Sequence, residues 1–138
     1  MADARTLVSG EATGAALVLD EPLSFWGGLD TVTGRVIDVR HPQHGAKVSG
    51  RVLVMPSGRG SSSSPSVLAE AIRAGTAPVA IVMREPDPIV ALGAIVAREL
   101  YGNTIPVVVA DEETYRSLRT GLTVTVRANE ARAIVEPA

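Results

Sequence analysis

The chain has 138 residues, of which 46% are hydrophobic and 20% charged, a balance that suits one folded domain and excludes general disorder. The formal net charge is −2, and the aromatics are only Phe25, Trp26, Tyr101 and Tyr115, which gives no electrostatic or stacking basis for nucleic-acid binding. Cysteine is absent, so this chain alone can form no disulfide, thiolate nucleophile or Cys-held zinc or iron–sulfur site.

In chain order the first elements read as β. Thr6–Val8 and Ala15–Leu19 are short apolar runs bounded by Gly10, Gly14 and the Glu21-Pro22 turn signal. A polar, glycine-rich stretch follows at 24–30. Val32, Val36 and Ile37 predict a strand over 31–38, broken at Gly34, and 39–47 reads as a loop around His41-Pro42-Gln43-His44-Gly45. Val48–Met55 is a near-continuous apolar run, the pattern of a strand covered on both faces. Residues 56–64 form a loop and helix start. A helix is expected over 65–74, stopped by Gly75, then a buried strand over 79–83. Asp87-Pro88 caps a helix to about Tyr101, apolar nearly all round and therefore expected to be substantially buried. A third buried strand covers 105–110, Asp111 caps a short helix to about Leu118, and 123–127 and 133–136 finish as strands. The middle is thus β-α-β-α-β with a parallel sheet, flanked by β segments at both ends. The fold class expected is α/β, a layered β/β/α domain with a mixed sheet, as one domain over residues 1–138. No apolar run is long enough to span a bilayer. Met1–Arg5 carries neither an apolar core nor a cleavage signature, so a cytoplasmic location without membrane contact is expected.

The chemistry-bearing feature is Gly58-Arg59-Gly60-Ser61-Ser62-Ser63-Ser64, set between a buried strand and a helix. Two glycines permit sharp turns. Free N–H groups and hydroxyls then meet at a helix N-terminus, whose partial positive charge favours anions and a serine alkoxide. A plainer reading is a serine-rich loop that caps the helix. It is neither a P-loop nor a dinucleotide fingerprint nor a nucleophile elbow. His41 and His44 could ligate a metal or supply a base, or could form only a polar turn. Asp20 and Glu21 should point apart on a strand. Phe25-Trp26-Gly27-Gly28 reads equally as an exposed partner contact or as a plug of the core. Arg84-Glu85-Pro86-Asp87 reads as a strand-to-helix turn with a cap.

Taken together, Gly10-Glu11-Ala12, Ser24-Phe25-Trp26-Gly27-Gly28, His41-Pro42-Gln43-His44-Gly45 and Gly58–Ser64 resemble, in order and spacing, the small swivelling subunit of the aconitase X family. The resemblance covers about Gly10 to Val109. It implies a swivelling β/β/α domain that docks on a large catalytic subunit as a heterodimer or higher assembly. The iron–sulfur cluster is implied in that partner, with no cofactor or metal bound by this chain alone. The implied activities are dehydrations, of cis-3-hydroxy-L-proline in bacterial members and of phosphomevalonate in archaeal ones. Archaeal small subunits read Gly-x-Gly-Ser-Thr-Val-Gly in the serine loop, whereas this chain has Ser62 and Ser63, which favours the hydroxyproline reading. Aconitases proper carry an arginine where Ser63 stands, which argues against a tricarboxylic substrate. By this match Ser61 is the catalytic base that removes the proton α to the carboxylate, the partner's metal is the Lewis acid on the departing hydroxyl, and Arg59, Gly60 and Ser62 contact substrate. A non-catalytic module that binds an anion or a protein is the alternative class.

Overall fold

A computed structural model describes residues 2–138. Its strands are β1 (Ala2–Val8), β2 (Gly10–Val18), β3 (Val52–Met55), β4 (Ala80–Met83), β5 (Val107–Ala110), β6 (Thr123–Ala128) and β7 (Ala133–Pro137). The helical elements are α1 (Phe25–Gly28), α2 (Ser64–Ala74), α3 (Pro88–Tyr101) and α4 (Glu112–Ser117). The strands close into a barrel in the order β1-β5-β4-β3-β2-β6-β7. β2, β3, β4 and β5 run parallel, and the remaining pairs are antiparallel. The expected mixed sheet and α/β class are present.

Side-chain size explains how so small a barrel closes. The inward residues are mostly Val and Ala: Ala16, Val52, Val54, Ala80, Val82, Val108, Val124, Val126 and Val135 form one buried cluster. The alternate residues of the same parallel strands, Leu17, Leu53, Met55, Ile81 and Met83, point the other way. There they pack beneath α2 and α3 with Leu68, Ile72, Val90 and Ala94. Parallel strands buried on both faces therefore read as continuous apolar runs. Each large aliphatic side chain buried beneath the helices stabilises the fold by about 1.5–3 kcal/mol.

Several boundaries differ from the sequence expectation, each for a local reason. β2 starts at Gly10, and Gly14 lies inside it rather than at its margin. At Gly14 a Cβ would stand 2.9 Å from the Gly50 carbonyl, so glycine marks a close approach of backbone. Residues 31–38 form no strand. The Asp30 carboxylate instead accepts bonds from the Val32 N–H and the Thr33 hydroxyl, and Gly34 turns the chain at φ +72°. Its strand-like pairing is limited to isolated bridges, Leu29 to Val36 and Arg35 to Lys47, and the Thr76 hydroxyl, donating to the Thr31 carbonyl at 2.7 Å, helps to hold it. The strand expected from Val48 begins at Val52, after a turn at Gly50. α3 is buried along one face only: Val90, Ala91, Gly93, Ala94 and Ala97 face the core, while Leu92, Leu100 and Tyr101 are exposed. No helix among the described residues is long and apolar enough to cross a membrane.

Candidate functional site

The serine loop leaves the C-terminal end of β3, where ligand crevices form on parallel sheets. Its first half is fixed by close packing and backbone bonds. Leu23 and Gly58 make a parallel bridge, and the Arg59 N–H donates to the Leu23 carbonyl at 3.1 Å. A Cβ on Gly58 would lie 2.6 Å from both Asp87 Oδ2 and Val90 Cγ2, so glycine lets the loop settle on the start of α3. There Asp87 caps the helix as expected, accepting from the Ile89 N–H at 2.9 Å. Pro56 is held in turn by the N–H groups of Arg84 and Glu85.

The far end of the loop is fixed by Ser64. This serine is buried, accepts from the Trp26 N–H at 3.2 Å and lies 3.3 Å from Ser24 Oγ. Ser24 gives its own proton to the Trp26 carbonyl, so Ser64 must donate to Ser24. Its hydroxyl is then occupied as both donor and acceptor. Ser64 is the first helical residue, one before the start expected at residue 65, with Ser63 as N-cap making no side-chain cap bond. Ser62 and Ser63 therefore precede the first turn.

Between these fixed ends lie Gly60, Ser61, Ser62 and Ser63. Ser61 is half-buried, and its Oγ accepts from the Ser63 N–H at 3.3 Å. Its carbonyl accepts from the Ser64 N–H. The Ser61 hydroxyl thus faces a backbone donor of the α2 entrance. Arg59 is exposed, with one guanidinium nitrogen 3.4 Å from Glu21 Oε1. Both groups are about half accessible, so the pair is worth little and Arg59 can exchange partners.

The histidines separate in role. His41 is buried, and both ring nitrogens are engaged: Nδ1 by the Gln43 N–H at 3.0 Å, Nε2 by the Glu21 carbonyl at 3.1 Å. An N–H can only donate, so Nδ1 accepts and Nε2 carries the proton. Neither nitrogen is available as a metal ligand or a general base, so of the readings offered for His41 the polar turn is the one its bonds match. His44 is exposed, and no group of three potential ligands exists among the described residues. Asp20 and Glu21 do diverge, Asp20 to Gln43 and Glu21 to Arg59. The two aromatics divide the readings offered for them: Phe25 is buried and Trp26 is 60% exposed. Trp26 lies beside the serine loop through its bond to Ser64. Nothing in the spacing of serines marks Ser24 and Ser64 as clamps, because their contact spans forty residues of chain.

At the barrel mouth Arg84 stacks over Tyr115 at 5.4 Å from the ring centroid. Burial raises the Tyr115 phenol, and the Arg84 charge opposes that shift.

A family model described as the aconitase X swivel domain matches residues 1–136. The chain belongs to the aconitase X swivel domain family. Within reach of this family assignment, the cis-3-hydroxy-L-proline dehydratase of Pseudomonas aeruginosa is 53% identical over 103 residues, 75% of this chain and 18% of that protein. The chain therefore spans less than a fifth of that relative. The phosphomevalonate dehydratase small subunit of Methanosarcina acetivorans is 39% identical over 127 residues, 91% of this chain and 84% of that subunit. The crystal structure of Thermococcus kodakaraensis aconitase X in its holo-form superposes with a TM-score of 0.84 at 34% identity, covering 98% of this chain and 97% of that one. A second relative, solved in solution by NMR, gives a TM-score of 0.83 at 37% identity, with 99% of this chain and 97% of that chain covered.

Proposed function

We propose that this aconitase X swivel domain is the small subunit of a hydro-lyase and supplies the base Ser61 to a larger catalytic subunit. The observation that carries the reading is the serine loop itself. It is fixed at Gly58–Arg59 and at Ser64, and it holds Ser61 against a backbone N–H at the entrance of α2. A serine is a poor base until its alkoxide is stabilised, and an N–H donor with the positive end of a helix is the arrangement that does so.

The favoured substrate is cis-3-hydroxy-L-proline, on the serine-loop sequence and on the name of the Pseudomonas relative. In this reaction Ser61, as its alkoxide, takes the proton from the carbon α to the carboxylate. The C–H electron pair forms the new double bond as the C3 oxygen leaves as hydroxide; hydroxide then takes the serine proton to give water and restore the alkoxide, and the enamine tautomerises to Δ1-pyrroline-2-carboxylate. Arg59 can leave Glu21 for a carboxylate, while Gly60 and Ser62 line the same loop. The family also implies an iron–sulfur cluster. A chain without cysteine, and without a three-ligand cluster among its described residues, does not fit that group, so it is assigned to the partner and no step here runs through it.

Phosphomevalonate is the second reading. It is favoured by the archaeal small subunits, which match this chain over most of both lengths. Co-expression with the large subunit, followed by assay of water elimination from both compounds, tests the proposal. Turnover of cis-3-hydroxy-L-proline alone is expected. Turnover of phosphomevalonate alone would select the second reading, and turnover of neither would leave an anion- or protein-binding module.

A further inference from the structure

His41 and Gln43 do no chemistry, yet they sit where the loops of the candidate site converge. The chain from Asp20 to Trp26 forms a shelf under the serine loop. At one margin the shelf carries that loop, through Leu23 with Gly58, Leu23 with Arg59, and Trp26 and Ser24 with Ser64. At the other margin it is gripped by the histidine turn. The His41 Nε2–H meets the Glu21 carbonyl at 3.1 Å. Gln43 makes a reciprocal pair with Asp20: its Nε2 donates to Asp20 Oδ2 at 2.8 Å, and the Asp20 N–H donates to Gln43 Oε1 at 3.0 Å. The Gln43 N–H on His41 Nδ1 closes the unit and fixes the tautomer.

We propose that His41 is a positioning residue, whose neutral Nε2–H tautomer together with Gln43 locks the Asp20–Trp26 shelf and thereby the register of the serine loop. The argument rests on the reading of that loop as the site. Its physical basis is burial. His41 is 4% exposed, and its part-buried bond to the Glu21 carbonyl meets less competition from water than an exposed one. The shelf runs from the end of β2 to the single kinked turn of α1 and seats Leu23 and Phe25 in the core. Bonds at its two margins, spanning 20 to 40 residues of sequence, fix its polar edges against the flanking loops. Supporting contacts of this kind hold reacting groups to within a fraction of an ångström, and small displacements are costly to rate.

The test is amide hydrogen exchange by NMR on the 15N-labelled full chain, without partner or substrate. His41→Gln keeps an N–H donor near the Nε2 position, whereas His41→Asn keeps an acceptor near Nδ1 and loses the reach to Glu21. His41→Ala is expected to speed exchange of the Arg59 and Trp26 amides about tenfold relative to the Ile81 amide of the core. His41→Gln restores most of that protection and His41→Asn does not. A long-range imidazole spectrum of the wild type is expected to show Nε2 protonated. Unchanged Arg59 and Trp26 amides would overturn the proposal, as would equal acceleration of the Ile81 amide, which marks a general loss of stability. Should His41→Ala fail to fold, Gln43→Ala replaces it with the same expected local acceleration and the same overturning result. The readout does not pass through Ser61 chemistry. An active Ser61→Ala enzyme would remove the base and leave the clamp standing.

Discussion

Four consecutive serines are chemically alike, and their surroundings separate them. Ser64 spends its hydroxyl on Ser24 and the Trp26 amide, Ser62 is exposed, and the half-buried Ser61 accepts the Ser63 N–H at the entrance of α2. Ser64 therefore fixes the loop and Ser61 is the one presented. A similar economy of polar contacts holds the 29–37 segment, where the Asp30 carboxyl lies below the usual range. The Val32 N–H is the main cause, followed by the Thr33 hydroxyl. A carboxyl whose folded value is depressed adds stability above its unfolded value, near pH 4, and loses it as pH falls through the lower folded value. Asp30→Asn is thus expected to lower the urea midpoint at pH 7, with the gap closing below about pH 4 as the wild-type carboxyl protonates. An equal gap at pH 7 and pH 3 would refute that assignment. The histidine motif shows what sequence cannot disclose at this scale. Spacing offers His41 and His44 as a pair, but burial of one and exposure of the other follow from which loop the turn lands on.

At the scale of elements, α2 and α3 lie close enough to need a glycine inside a helix. A Cβ on Gly93 would stand 2.9 Å from Leu68 Cβ, and that atom cannot swing aside as a side-chain tip could. Replacing a helical glycine with alanine gains about 1 kcal/mol in propensity. Overpacking costs about 1–3 kcal/mol. Gly93→Ala is therefore expected to lower the thermal midpoint slightly, by a few degrees, and a clear rise in midpoint would show that the helices can part freely. The parallel β-α-β-α-β middle was legible because doubly buried strands and capped helices carry strong local signals: Val52–Met55, Asp87-Pro88, and Gly75 at φ +78°. The segment from 20 to 47 was not, because its conformation depends on turns and long-range bonds rather than periodicity. Val32 and Val36 suggested a strand, yet Val32 is 82% exposed and Val36 fully buried. The exposure of Leu92 and Leu100 on α3 was equally hidden, since apolar composition alone does not say which face lacks a neighbour.

As a whole the molecule is a small closed barrel with α2 and α3 on one flank and its candidate site at the end where β2, β3, β4 and β5 finish. That geometry leaves Ser61, Arg59 and Trp26 at one accessible end without enclosing a substrate. A base at an open rim needs a second surface to exclude water and orient the reacting carbon. The segment matched in the Pseudomonas dehydratase is 18% of that protein, and the Methanosarcina relative is named as a small subunit. The central claim is that this chain brings the base. The most direct measurement is turnover of the assembled enzyme carrying Ser61→Ala, read beside Ser63→Ala, with complex formation checked by size-exclusion chromatography. Loss of a general base costs about 10²- to 10⁴-fold in rate. The account predicts a fall of at least about 10²-fold for Ser61→Ala, a much smaller effect for Ser63→Ala, and intact complexes for both. Near-normal turnover of the Ser61→Ala enzyme would contradict it.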